Sequence, residues 1–115
     1  MTDTIDIKPA HLDALRELLR RCLPGVAAWA YGSRVKRTSR PSSDLDLVVF
    51  ASEEERPAVS ALREAFEESS LPFRVDLFVW DELPEAFRAN IASEHFVVQE
   101  AAPAEGPPAE GSPRD

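Results

Sequence analysis

The sequence predicts an α/β layer fold. Three observations predict it: a leucine stripe of helical period near the N-terminus, short apolar or β-branched runs bounded by turn residues, and helical patterns that alternate with those runs. At 115 residues the chain fits one domain, and its 43% hydrophobic content suits a globular body with a small core.

The elements follow in order. Leu12, Leu15, Leu19 and Leu23 recur at spacings of three and four, with Leu18 and Cys22 widening the stripe, which predicts a helix over residues 8–23. Pro9 suits an early helical position and Pro24-Gly25 ends the run. Val26 to Tyr31 is a short apolar run between that turn and Gly32, read as a buried strand because six residues make a poor helix. A polar, basic connector follows to Ser43, with room for a helical turn. Asp44 to Phe50, with its Val-Val pair, reads as a second strand. Ser52 and Glu55 form a capping box that opens a helix over 53–68, with Val59, Leu62 and Phe66 on one face. Phe73 to Trp80 alternates cleanly: Phe73, Val75, Leu77 and Val79 face one way, Arg74, Asp76, Phe78 and Trp80 the other. Asp81 is a candidate cap for a last helix, with Pro84 in its first turn, running to about Ala92. His95 to Gln99 reads equally as a short strand or a helical continuation. The domain therefore spans 1–100. Residues 101–115 hold no large apolar side chain to offset ordering entropy and read as a disordered Pro/Ala/Glu-rich tail.

Composition excludes several classes. The formal net charge of -8 disfavours stable nucleic acid binding, since backbone phosphates are repelled. No apolar run approaches the ~20 residues that span a bilayer, so no membrane role is expected. The first residues are acidic where a signal peptide is basic, and the single Cys22 rules out an internal disulfide, so the expected location is cytoplasmic. Within this acidic chain, Arg34, Lys36, Arg37 and Arg40 crowd one stretch, which suits a small polyanion.

Three short segments carry the chemistry. Asp44 and Asp46 stand two apart on a strand, so both carboxylates share a face, with Cα atoms roughly 6.6 Å apart. An isolated Asp-x-Asp is usually two solvated acids. Asp76 adds weight because it interrupts an apolar strand, where an unpaired carboxylate is disfavoured, although Arg74 on the same face offers it a partner. If the strand of Asp76 lies beside that of Asp44, three hard oxygen ligands converge, the donor set that selects Mg2+ or Mn2+. Gly32-Ser33 directly follows a strand. Glycine permits close backbone approach and serine offers a hydroxyl and an N–H, a grip for phosphate or an ordinary turn.

The run from Tyr31 through Gly32, Ser33 and Arg34 to Asp44, Leu45, Asp46 and Leu47 resembles the signature of the DNA polymerase beta-like nucleotidyltransferase superfamily, and more narrowly the minimal nucleotidyltransferase (MNT) family. Val75-Asp76-Leu77 is similar to that family's third-carboxylate strand. The resemblance covers about residues 8–100. It implies a small mixed β-sheet flanked by helices. It also implies that Asp44, Asp46 and Asp76 are catalytic and hold two Mg2+ ions (Mn2+ as the alternative), and that Gly32, Ser33 and Arg34 bind the nucleotide. Val35 and Arg37 depart from the small residue and glycine common in the family, which leaves the connector's shape open.

Minimal members often neighbour a HEPN-domain ribonuclease toxin and act as its antitoxin. The function implied is transfer of AMP from ATP to a hydroxyl of a HEPN-type toxin, a tyrosine in characterised systems. Two alternatives stand beside it: an antitoxin that neutralises by binding alone, and a nucleotidyltransferase acting on a small molecule, a class that carries an additional helical domain for its acceptor. Trp29, Tyr31 and Trp80 are expected in the core, Cys22 as a buried small hydrophobe, and His95 as a surface residue without a role.

Overall fold

The computed structural model describes residues 5–36 and 44–102. Arg37, Arg40 and the chain beyond Ala102 lie outside the described residues, as do the side chains of Ser33 and Lys36. The element order is α1 (Pro9–Cys22), β1 (Ala28–Tyr31), α2 (Ser33–Lys36), β2 (Leu45–Val49), α3 (Arg56–Glu68), β3 (Val75–Val79), α4 (Glu85–Ser93) and β4 (Phe96–Gln99).

The four strands form one mixed sheet in the order β3-β2-β1-β4. β1 runs antiparallel to both β2 and β4, while β2 and β3 are parallel, joined by the α3 crossover. The last segment is therefore a strand, which settles the choice left open at His95–Gln99. It is tied back to α1: Gln99 Nε2 donates to the carbonyls of Leu23 and Val26, each at 2.8 Å, and Arg16 Nε donates to Val98 O at 3.0 Å.

One sheet face is covered by α1 and α3. Leu15 and Leu19 from α1, and Val59, Leu62 and Phe66 from α3, bury against Ala28, Ala30, Leu45, Leu47, Val49, Leu77 and Val79. These strand residues alternate in sequence, as a pleated layer with one helix-covered side requires. Cys22 is only half-buried, packed at the margin of this cluster.

Two helix starts differ from expectation. The Ser52–Glu55 capping box forms, with Ser52 N–H donating to Glu55 Oε1 at 2.8 Å, but it opens a 3-10 turn, Glu53–Glu55. The reason is Pro57. It has no N–H for the Glu53 carbonyl four residues back, so Arg56 N–H takes that carbonyl instead and the α-helix proper begins at Arg56. Likewise Asp81 does not cap α4. It sits in a 3-10 turn, Trp80–Glu82, and Pro84 is the N-cap residue, because proline holds the extended backbone that precedes a helix. At the far end, Ala102 N–H donates to Gly25 O at 3.0 Å, so the first residues past the sheet are anchored rather than free.

Candidate active site

The second sheet face carries the acids. The strand register sets Tyr31 of β1 opposite Asp46 of β2, and Asp46 beside Asp76 of β3, in one row across three strands. Neighbouring strands lie about 4.8 Å apart, so these side chains project from one patch of the same face. Asp44 is exposed immediately before β2 and two residues from Asp46. The parallel β2–β3 pairing therefore sets Asp76 beside Asp46, with Asp44 two residues from Asp46 along the chain.

Their mutual effect is visible in the protonation of Asp46. Partial burial pushes its carboxyl up, and the charges of Asp76 and Asp44 push it further. Burial likewise raises the Tyr31 phenol to about 12, helped by the charges of Asp46 and Asp76. A face that resists further negative charge in this way is one that a cation would relieve. Asp76 is turned onto Arg74, with Nε to Oδ1 at 2.9 Å, so the alternative partner noted in the sequence is engaged. Among the described residues no three His, Cys, Asp or Glu side chains already stand close enough to hold one ion.

Gly32 lies against Asp46. Its φ is +86°, a left-handed backbone that side-chain-bearing residues rarely adopt. A Cβ built there would fall 2.5 Å from Asp46 Oδ2 and 3.4 Å from its Cγ. The turn therefore favours glycine, and a larger residue there would also push the Asp46 carboxylate from its place. Ser33 opens α2 directly after it, and Val35 N–H donates to Gly32 O at 3.1 Å. The first N–H groups of a helical turn have no partner within it, so the turn presents backbone donors beside the acids.

Arg34 is placed differently from the sequence expectation. Only 6% of it is exposed. Its Nη1 donates to Asp6 O at 2.8 Å, Asp6 N–H donates back to Arg34 O at 2.8 Å, and the guanidinium lies 4.6 Å from the Phe73 ring centroid. Phe73 belongs to the helix side of the sheet, packed against the core cluster. Arg34 therefore ties the Gly32–Ser33 turn to the N-terminal segment.

Sequence reasoning missed a second small cluster beyond the acids. Trp29 packs edge-on to Phe50 and Trp80, with centroids 4.6 and 5.7 Å apart, and His95 stacks flat on Trp29 at 3.7 Å. His95 is buried, its Nδ1 2.9 Å from Ile91 O, so it is a packing residue and not an idle surface one. The residue spacing gave a signal: Trp29, Val48, Phe50 and Trp80 share the strand parity of Tyr31, Asp46 and Asp76. Trp29, Tyr31 and Trp80 are accordingly half-buried on the acidic face, not sealed in the main core.

Comparison with known proteins agrees with this geometry. Residues 14–103 match the family described as "Polymerase beta, Nucleotidyltransferase". The "Probable protein adenylyltransferase MntA" of Haemophilus influenzae is 41% identical over 97 residues, covering 84% of this chain and 85% of that protein. A crystal structure of a toxin–antitoxin with AMP-PNP superposes with a TM-score of 0.57 at 18% identity, over 78% of this chain and 73% of the other. The tri-AMPylated Shewanella oneidensis HEPN toxin in complex with MNT antitoxin gives 0.51 at 13%, over 83% and 74%. At such identities the superpositions speak for the fold alone. The sequence match, the mixed sheet and the acidic row beside a glycine turn together make this chain a member of the polymerase beta nucleotidyltransferase family.

Proposed function

We propose that this chain transfers AMP from ATP to a hydroxyl, a tyrosine, on a HEPN-type partner protein, and thereby acts in the cytoplasm as the antitoxin of that partner. The observation that carries the reading is the row Asp46–Asp76 on adjacent parallel strands, set against the left-handed Gly32 turn. The likeness to a protein named as a protein adenylyltransferase, and the fold shared with an antitoxin found with an AMPylated HEPN toxin, support it.

The residues fit a divalent-metal site. The donor set is all carboxylate, and Asp46, raised first by burial and then by the charges of Asp76 and Asp44, is a group whose ionised form a cation would favour. Asp44, Asp46 and Asp76 would hold two Mg2+ ions, or Mn2+, which when bound would supply charge neutralisation at the α-phosphate and the leaving oxygen. The chain's own residues do the rest. Gly32 and Ser33 hold the terminal phosphates through backbone N–H groups, and Gly32 leaves Asp46 free to face them. Arg34 fixes that turn from behind. Asp76, released from Arg74, accepts the proton of the attacking hydroxyl. The acceptor oxygen bonds to the α-phosphorus as the bond from that phosphorus to the bridging oxygen breaks, and pyrophosphate leaves.

The test uses ATP labelled at the α-phosphate, Mg2+ and the HEPN-type partner. Label is expected on the partner with the native chain. Transfer that persists when Asp44 and Asp46 are both changed to Asn contradicts the reading. Neutralisation by contact alone has one observation in its favour, the exposed Phe78 and Phe87, 38% and 55% accessible. In that case the double Asn variant still protects cells from the toxin.

A further inference from the structure

The reaction geometry and one groove together say where the acceptor enters. The phosphate-holding turn, Gly32–Ser33, follows β1, while Asp76 is on β3, with β2 and Asp46 between them. In an in-line displacement the attacking and leaving oxygens lie on opposite sides of phosphorus. With pyrophosphate leaving on the β1 side, the acceptor oxygen must come from the β3 side. β3 is the edge strand of the sheet, so among the described residues no further strand lies in that path.

What does lie there is a groove of about 750 Å3 between the β3 edge and the second half of α3. That is within the ~300–1,000 Å3 range of sites that hold a drug-sized ligand. Asp76 is itself part of its wall, so the groove opens directly onto the acidic row. Phe66, Leu71 and Phe78 give it apolar surface, and Arg63 a cationic flank. Phe78 shares the face of Asp76, two residues on, and is 38% exposed, a large ring left at the rim of the site. Arg74, also in the wall, adds a second cationic side chain whenever Asp76 leaves it. In a chain of net charge -8, this pairing of basic flank and apolar floor suits a segment with an apolar and an acidic side chain, although Glu67 also borders it.

We infer that the groove between the β3 edge and α3, with Phe78 at its mouth, is the docking surface for the partner segment that carries the acceptor hydroxyl. This rests on the transfer reaction proposed above. The segment docks by side chains rather than by adding a strand. The outward carbonyl of Leu77 is already taken by Arg63, from Nε at 3.3 Å and Nη2 at 2.9 Å, which blunts the edge to β-pairing at its centre.

The experiment compares Phe78→Ala and Arg63→Glu with Phe87→Ala, the other exposed large apolar side chain among the described residues, which lies outside the groove. Circular dichroism checks each fold. The readouts are KM and kcat for the partner, affinity for a nonhydrolysable ATP analogue with Mn2+, and molecular mass in solution. Phe78→Ala and Arg63→Glu are each expected to raise the partner's KM about tenfold or more, as loss of a contact hot spot does, with analogue affinity and mass unchanged. Phe87→Ala is expected to leave KM unchanged. An unchanged KM in Phe78→Ala overturns the inference. So does a Phe78→Ala effect confined to analogue affinity, which would make the ring a nucleobase platform, or one confined to mass, which would make the groove a contact between copies. Failure of the transfer reading shows elsewhere, as activity retained by the double Asn variant.

Discussion

Leu45 and Leu47 on one side of β2, and Asp46 on the other, are chain neighbours with opposite surroundings. The leucines are fully buried under α1 and α3. Asp46 faces Tyr31, Asp76 and the glycine turn. The helix-covered face is built from apolar volume, and its members favour the fold. The acidic face gathers like charges, half-buried aromatics and a positive-φ glycine turn, and the ionised Asp46 works against the fold. The comparison teaches that the sheet's two-residue period divides the strands into a stabilising set and a working set, with the first holding the second in place.

The largest expected effect lies on the acidic face. Changing both Asp44 and Asp46 to Asn should reduce AMP transfer by at least ~100–1,000-fold, since preorganised charge at the reacting phosphate is removed, and a single-turnover assay reads it. The complementary change is Leu47→Ala, which should lower the unfolding free energy by about 2–5 kcal/mol in a denaturant titration. If Leu47→Ala were neutral, the covered face would not be what holds the sheet. Asp46→Asn should do the opposite and raise the melting temperature of the metal-free chain. The sign follows from the raised carboxyl. The folded state holds that proton more tightly than the unfolded chain does, so stability is gained below the ordinary carboxylate value and lost as pH rises through the raised one. At neutral pH the ionised group is therefore a liability that Asn removes.

Gly32→Ala sits between the two sets. The left-handed φ disfavours alanine by roughly 1–2 kcal/mol, and the added carbon must displace Asp46. Affinity for the nucleotide should fall more than stability does, as read by calorimetry beside a melting curve. The smallest effect is in the alkaline titration of Tyr31. Its phenol, raised to about 12 by burial and the two carboxylates, contributes stability that is present below pH ~10 and lost as pH rises towards 12. Tyrosinate absorbance should show one late-titrating group, and Asp46→Asn should shift it down.

The sequence made much of this legible because it records parity and period directly. The stripe of α1, the alternation of Phe73 to Trp80 and the Asp-Leu-Asp-Leu pattern fix which side chains share a face, before any pairing is known. It could not fix which strands pair, and the meeting of Asp46 with Asp76 depends on the parallel β2–β3 contact. The contacts of Arg34 with Asp6 and Phe73 could not be read for the same reason, since both residues are remote from it in the chain. His95 read as idle because stacking on Trp29 is a long-range contact that carries no local signature. The shifted starts of α3 and α4 were in principle readable, since each turns on where a proline stands: Pro57 lacks an N–H, and Pro84 holds an extended backbone.

The central claim is that Asp44, Asp46 and Asp76 work together as one divalent-metal site beside the glycine turn. Titrating Mn2+ into the protein with a nonhydrolysable ATP analogue, followed by electron paramagnetic resonance, tests it most directly. Two bound Mn2+ per native chain are expected, with loss of both from the Asp44→Asn/Asp46→Asn variant and its fold unchanged. Equal binding by the two proteins would contradict it.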